Sequence, residues 1–82
     1  MELRDQIYEK IVERIGQLYG KKPEEISEDT RFVEDLGAKS GNVSQMTTFL
    51  EDEFDIEVPF MEFRRKPTVG EAADFVASLF DE

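Results

Sequence analysis

Residues 32–59 read FVEDLGAKSGNVSQMTTFLEDEFDIEVP. An acidic loop turns at Gly37, passes an isolated Ser40 and enters a segment with the period of a helix. At 100° per residue, Val43, Met46, Leu50 and Phe54 project to within about 60° of one direction, so the spacing predicts a helix over about 41–54. Phe49 lies well off that stripe. Residues 55–59 break the pattern and end in Pro59, which suits the opening of a new helix.

The flanking sequence supplies partners for this helix. Apolar residues at Leu3, Ile7, Ile11, Ile15 and Leu18, with Tyr8, Val12 and Tyr19 beside them, predict a first helix that Gly20 stops. Residues 21–39 have no long period, yet so long a connection in a small protein calls for local structure. Pro23 starts a short turn, and Ile26, Phe32, Val33 and Leu36 are the expected anchors of this loop on the helices. Beyond Pro59, a short third helix runs through Phe60, Met61 and Phe63 to the basic triplet Arg64, Arg65 and Lys66. Those bases read as a helix C-terminus facing nearby acids. Thr68 and Glu71 have capping-box spacing. They open a last helix whose buried face is Val69, Ala72, Ala73, Val76, Leu79 and Phe80. The reading is all-α, three long helices and one short one in one domain over 1–82, with a long loop between helices one and two.

Composition narrows the function. The 82 residues carry twenty acids against ten bases, a net charge of −10, with no Cys and no His. Without these residues neither a Ser-His site nor a thiolate or imidazole metal centre can be built, so a self-sufficient enzyme is not expected. An EF-hand loop starting at Asp52 would place Phe54 and Ile56 at ligand positions and lacks the required glycine, so no metal site is expected. Strong negative charge disfavours nucleic acid and anionic lipid. No stretch approaches a membrane span, and the expected setting is a cytoplasmic monomer.

Ser40 begins a helix, where its hydroxyl either caps a backbone N–H or points outward as an accessible group. The blocks FVEDLGA at 32–38, LEDEFDIEVP at 50–59 and TVGEA at 68–72 surround it. In these blocks and their spacing the chain resembles the acyl carrier proteins. The resemblance implies a similar helical bundle and a 4′-phosphopantetheine arm attached to Ser40 by a separate phosphopantetheinyl transferase that takes it from coenzyme A. It implies acyl cargo held as a thioester, sheltered in a limited or ligand-opened cavity lined by Met46, Leu50, Val58 and Phe63. It also implies acyl-loading and acyl-transfer enzymes with basic docking surfaces, with Lys39, Gly41, Gln45, Glu51 and Asp52 as the candidate contacts and Lys39 expected to weaken docking to a basic groove. Phe60 and Met61, apolar where such carriers often have polar residues, fit either a partner patch or a larger core, as do Phe49 and Ile56. Fatty acid or specialised lipid synthesis is the implied setting. A polyketide or peptide carrier, or an acidic helical adaptor without the arm, is the alternative.

The chain departs from that family beside the serine, where Lys39-Ser40-Gly41 replaces the usual Asp-Ser-Leu. Lys39 reverses a charge, and Gly41 lacks a leucine side chain whose full burial in a partner contributes roughly 1.5 to 3 kcal/mol. Gly41→Leu, alone or with Lys39→Asp, should speed modification by a broad-specificity transferase about ten- to a hundred-fold. Initial rates followed by mass spectrometry measure this, and unchanged rates would show that the tripeptide does not set recognition.

Overall fold

The computed structural model describes residues 2–81. Four α-helices form in chain order: α1 at Leu3–Tyr19, α2 at Ser40–Phe54, α3 at Phe60–Arg64 and α4 at Val69–Ser78. A 3-10 turn at Pro23–Glu25 interrupts the first loop, and a second one at Leu79–Asp81 ends the described chain. The all-α architecture is as the periodicity implies. α1 packs against both α2 and α4, while short α3 bridges α2 and α4.

Each helix buries the centre of the stripe its sequence sets out, while Leu3 at the start of α1 is exposed and Val43 and Phe54 of α2 are half-buried. Ile7, Ile11 and Ile15 of α1 meet Met46 and Leu50 of α2 and Val69, Ala72, Ala73 and Val76 of α4 in one core, which Phe63 and Val58 join. Burying a side chain of this size stabilises by roughly 1.5 to 3 kcal/mol. α1 ends where Gly20 takes the left-handed conformation, at φ 69°, and its N–H closes on the Gly16 carbonyl at 2.9 Å. Thr68 caps α4: its Oγ accepts the Glu71 N–H at 3.1 Å, and its hydroxyl donates to Glu71 Oε2 at 3.1 Å. Leu79 and Phe80 fall in the closing 3-10 turn, half-buried rather than on α4 itself. Phe80 meets Phe54 edge to face at 6.0 Å.

The long loop is held by main-chain hydrogen bonds to the start of α4. Phe32 N–H donates to the Pro67 carbonyl at 3.1 Å, Val69 N–H to Thr30 at 2.9 Å and Gly70 N–H to Glu28 at 2.9 Å. At Gly70 the approach is so close that an added Cβ would lie 2.8 Å from Glu28 Oε1 and 3.0 Å from its carbonyl. Ile26 and Phe32 are buried anchors as expected, and Leu36 packs against the core. Val33 is not an anchor but is 66% exposed. The chain turns tightly from Arg31 to Gly37, and the turn carries Val33 to the surface. Phe32 takes the inward position and lies 6.0 Å from the Phe63 ring.

Arg4 locks α1 to this junction. Its guanidinium binds both oxygens of Glu28, Asp74 Oδ1 at 2.8 Å and the Gly70 carbonyl at 3.1 Å. The hydrogen bonds from Arg4 hold the Glu28 carboxyl below its ordinary pKa of 4.5. Below that value the unfolded chain therefore takes up a proton that the folded chain still refuses, and stability falls as pH drops through the window. Glu28→Gln should lower stability near neutral pH and flatten its loss on the acid side. Urea midpoints measured from about pH 7 down to about pH 3 check this. Parallel acid limbs in the two proteins would exclude the Arg4 contact as their cause.

Candidate functional site

Ser40 is the first residue of α2, one position before the predicted start, and Lys39 is the extended residue before it, at φ −115° and ψ 168°. Capping falls to Asn42, whose Oδ1 accepts the Lys39 N–H at 3.1 Å. Ser40 is exposed, and among the described residues its hydroxyl takes part in no hydrogen bond. Of the two uses open to a serine here, the structure selects the outward one. The loop delivers it by turning at Gly37, whose φ of 67° suits a residue without a Cβ. Ala38 N–H then closes on the Phe32 carbonyl at 2.9 Å.

Ser40 lies on the wall of a groove of about 580 Å³. Phe32 and Phe63, both nearly fully buried, contribute to its apolar lining together with Val33, Val43 and Pro67. Lys39, Arg64, Arg65 and Lys66 line it as well. The triplet ends α3 as expected, with Arg64 in its last turn and Arg65 after it, but the acids it is expected to face are not its partners. Among the described residues none of its members pairs with an acid, and Lys66 instead stands 5.1 Å from the centroid of the Phe75 ring. Two acids of the loop close to Ser40 in sequence are held by Arg31, which faces Glu34 at 3.4 Å and Asp35 at 3.8 Å.

An anionic group on Ser40 fits this setting. The first N–H groups of a helix lack partners within it, and they favour negative charge by roughly 0.3 to 1 kcal/mol at an exposed site. Four cationic side chains share the groove. Arg64, Arg65 and Lys66 are the site residues that sequence order hides. The signal that places them is the TVGEA block: Thr68 pairs with Arg31 in an isolated antiparallel bridge, which carries the residues before it to the loop that presents Ser40.

The other predicted residues divide. Met46, Leu50, Val58 and Phe63 are at most 4% exposed and belong to the core, and only Phe63 of the four reaches the groove. Gly41, Gln45 and Asp52 are exposed, and a Cβ on Gly41 would meet nothing within 4 Å. Glu51 is half-buried and already engaged, its Oε2 accepting the Val58 N–H at 2.8 Å. Phe49 and Ile56 pack on the core, Phe49 with the Arg14 guanidinium 5.2 Å from its ring. Phe60 is half-buried, while Met61 is 54% exposed. The four apolar anomalies are therefore not one feature.

A family model described as "Phosphopantetheine attachment site" matches residues 9–76. An acyl carrier protein of a Sulfurovum species is 39% identical over 79 residues, covering 96% of this chain and all of the relative. An acyl carrier protein of Wolinella succinogenes is 38% identical over 76 residues, covering 93% of this chain and 95% of the relative.

A free hydroxyl and a working cap respond differently to truncation. Ser40→Ala should change stability by no more than about 0.5 kcal/mol, whereas Asn42→Ala should cost about 0.5 to 1 kcal/mol. Thermal or urea unfolding of the two variants compares them, and the reverse order would make Ser40 the cap.

Proposed function

Because this chain belongs to the acyl carrier protein family, we propose that Ser40 is the residue to which its 4′-phosphopantetheine is attached. Members of the family are carriers rather than catalysts, and the arm is covalently bound. When bound, it supplies a terminal thiol that holds an acyl group as a thioester. The observation that carries the assignment is the Ser40 hydroxyl itself, exposed at the start of α2 and, among the described residues, without a hydrogen bond. Lys39, Arg64 and Arg65 are the residues that would face the phosphate.

Residues 1–82 act on this reading as one carrier domain. A tether converts a bimolecular search into a local one, at an effective concentration of up to about millimolar. Cargo long enough to be sheltered would enter beside Phe63 and have to displace Met46, Leu50 or Val58, which the core now holds buried. The partners are a phosphopantetheinyl transferase and acyl-handling enzymes of fatty acid or specialised lipid synthesis. Gln45, Asp52 and exposed Met61 are the predicted contact residues best placed to meet them. Among the described residues, no helix is long and apolar enough to cross a membrane.

The rival is a helical adaptor of the same fold without the arm, and the chemistry of Ser40 separates the two. After incubation with coenzyme A, magnesium and a broad-specificity transferase, intact-mass measurement should show the gain of one phosphopantetheine. Ser40→Ala should show none. No gain on the unaltered chain, with transferases including one from its own organism, would leave the adaptor.

A further inference from the structure

The charges around Ser40 have the opposite sign to the chain as a whole. Net charge is −10, yet Lys39, Arg64, Arg65 and Lys66 gather in the groove beside the serine with no ion pair among the described residues. Neighbouring acids are largely committed elsewhere. Glu34, which also lines the groove, faces Arg31 at 3.4 Å, Glu51 holds the Val58 N–H at 2.8 Å, and Glu53 faces Lys10 at 3.7 Å. Among the described residues, the carboxylates of α2 and α3 without such a partner are Asp52, three turns from Ser40, and Glu62. The exposed residues of α2 between Ser40 and Asp52 are Gly41, Ser44, Gln45 and Thr48, all uncharged. Val33, 66% exposed on the same groove, adds an apolar spot.

We propose that this end of the molecule docks on an acidic protein surface: an enzyme whose entrance presents Asp and Glu side chains to Lys39, Arg64 and Arg65. The inference rests on attachment of the arm at Ser40, since an enzyme acting on that arm must close over these residues. A basic entrance would meet like charge at the point of closest approach. A bilayer or a nucleic acid is an extended anionic surface and would also meet the other acids of the chain. A compact cluster of carboxylates meets mainly the patch, because charges more than about 10 Å away are largely screened at ordinary salt.

A charge-swap experiment tests this. A broad-specificity phosphopantetheinyl transferase with a basic carrier-facing lip is compared with a variant whose lip lysines and arginines are changed to glutamate. Each modifies the unaltered chain and the Arg64→Glu/Arg65→Glu double variant, and rates are read by intact mass over a range of salt. The ratio of the two ratios cancels any loss of intrinsic activity in the altered enzyme. The acidic-lip enzyme should be favoured by the unaltered chain about tenfold relative to the double variant at low salt, and the difference should fade at about 0.5 M salt. Arg64→Gln/Arg65→Gln, which removes charge without reversing it, should fall between, and melting curves confirm that the variants fold. The same enzyme preference in all three chains would overturn the docking inference while leaving Ser40 as the attachment site. No mass gain with either enzyme or with a transferase from the chain's own organism would remove both readings. Sedimentation of the unaltered chain, but not the double variant, with phosphatidylglycerol vesicles would reassign the patch to a lipid surface and overturn the proposal.

Discussion

Three backbone hydrogen bonds between residues 28–32 and residues 67–70 hold the rest of the molecule in place. A connection of this length tends to wander unless its polar groups find partners. Here they find them on the segment that opens α4, and Arg4 clasps α1 to the same junction through Glu28, Asp74 and the Gly70 carbonyl. Once the loop is pinned there, Phe32 packs on Phe63, Gly37 turns the chain, and Ser40 emerges at a helix start with its hydroxyl facing water.

That arrangement divides two jobs that compete for a serine at a helix start. Asn42 satisfies the Lys39 N–H, and among the described residues the exposed serine hydroxyl has no hydrogen bond. The charge pattern follows the same division. Acids over most of the surface set the net charge, while the mouth of the groove is cationic. Local sign and global sign act at different ranges: the global field governs distant encounter and the local patch governs final fit.

Much of this was legible in the sequence because helical periodicity is a local signal. The stripe in α1, the stop at Gly20, the cap at Thr68 and the core face of α4 each follow from residues within a few turns of one another. Val33 was misplaced because a tight turn has no period from which to tell inward from outward. The basic triplet ends α3 as its sequence implies, but its place beside Ser40 depends on a pairing across the fold, between Arg31 and Thr68. The Arg4 clasp was equally hidden, since it joins residues as far apart as 4 and 74. Glu51 looked free to meet a partner and is instead bound to Val58, a contact that only the bend between α2 and α3 creates.

The junction between the loop and α4 also has a meaning in time. The ribosome releases Ser40 well before Pro67, Val69 and Gly70, and until those residues have emerged the loop lacks the strand of backbone it leans on. A nascent chain therefore displays its serine in the folded setting only once the start of α4 has emerged. Presentation of that hydroxyl is thereby tied to synthesis of a segment well beyond it in the chain, and a chain halted before Pro67 lacks the junction that positions it.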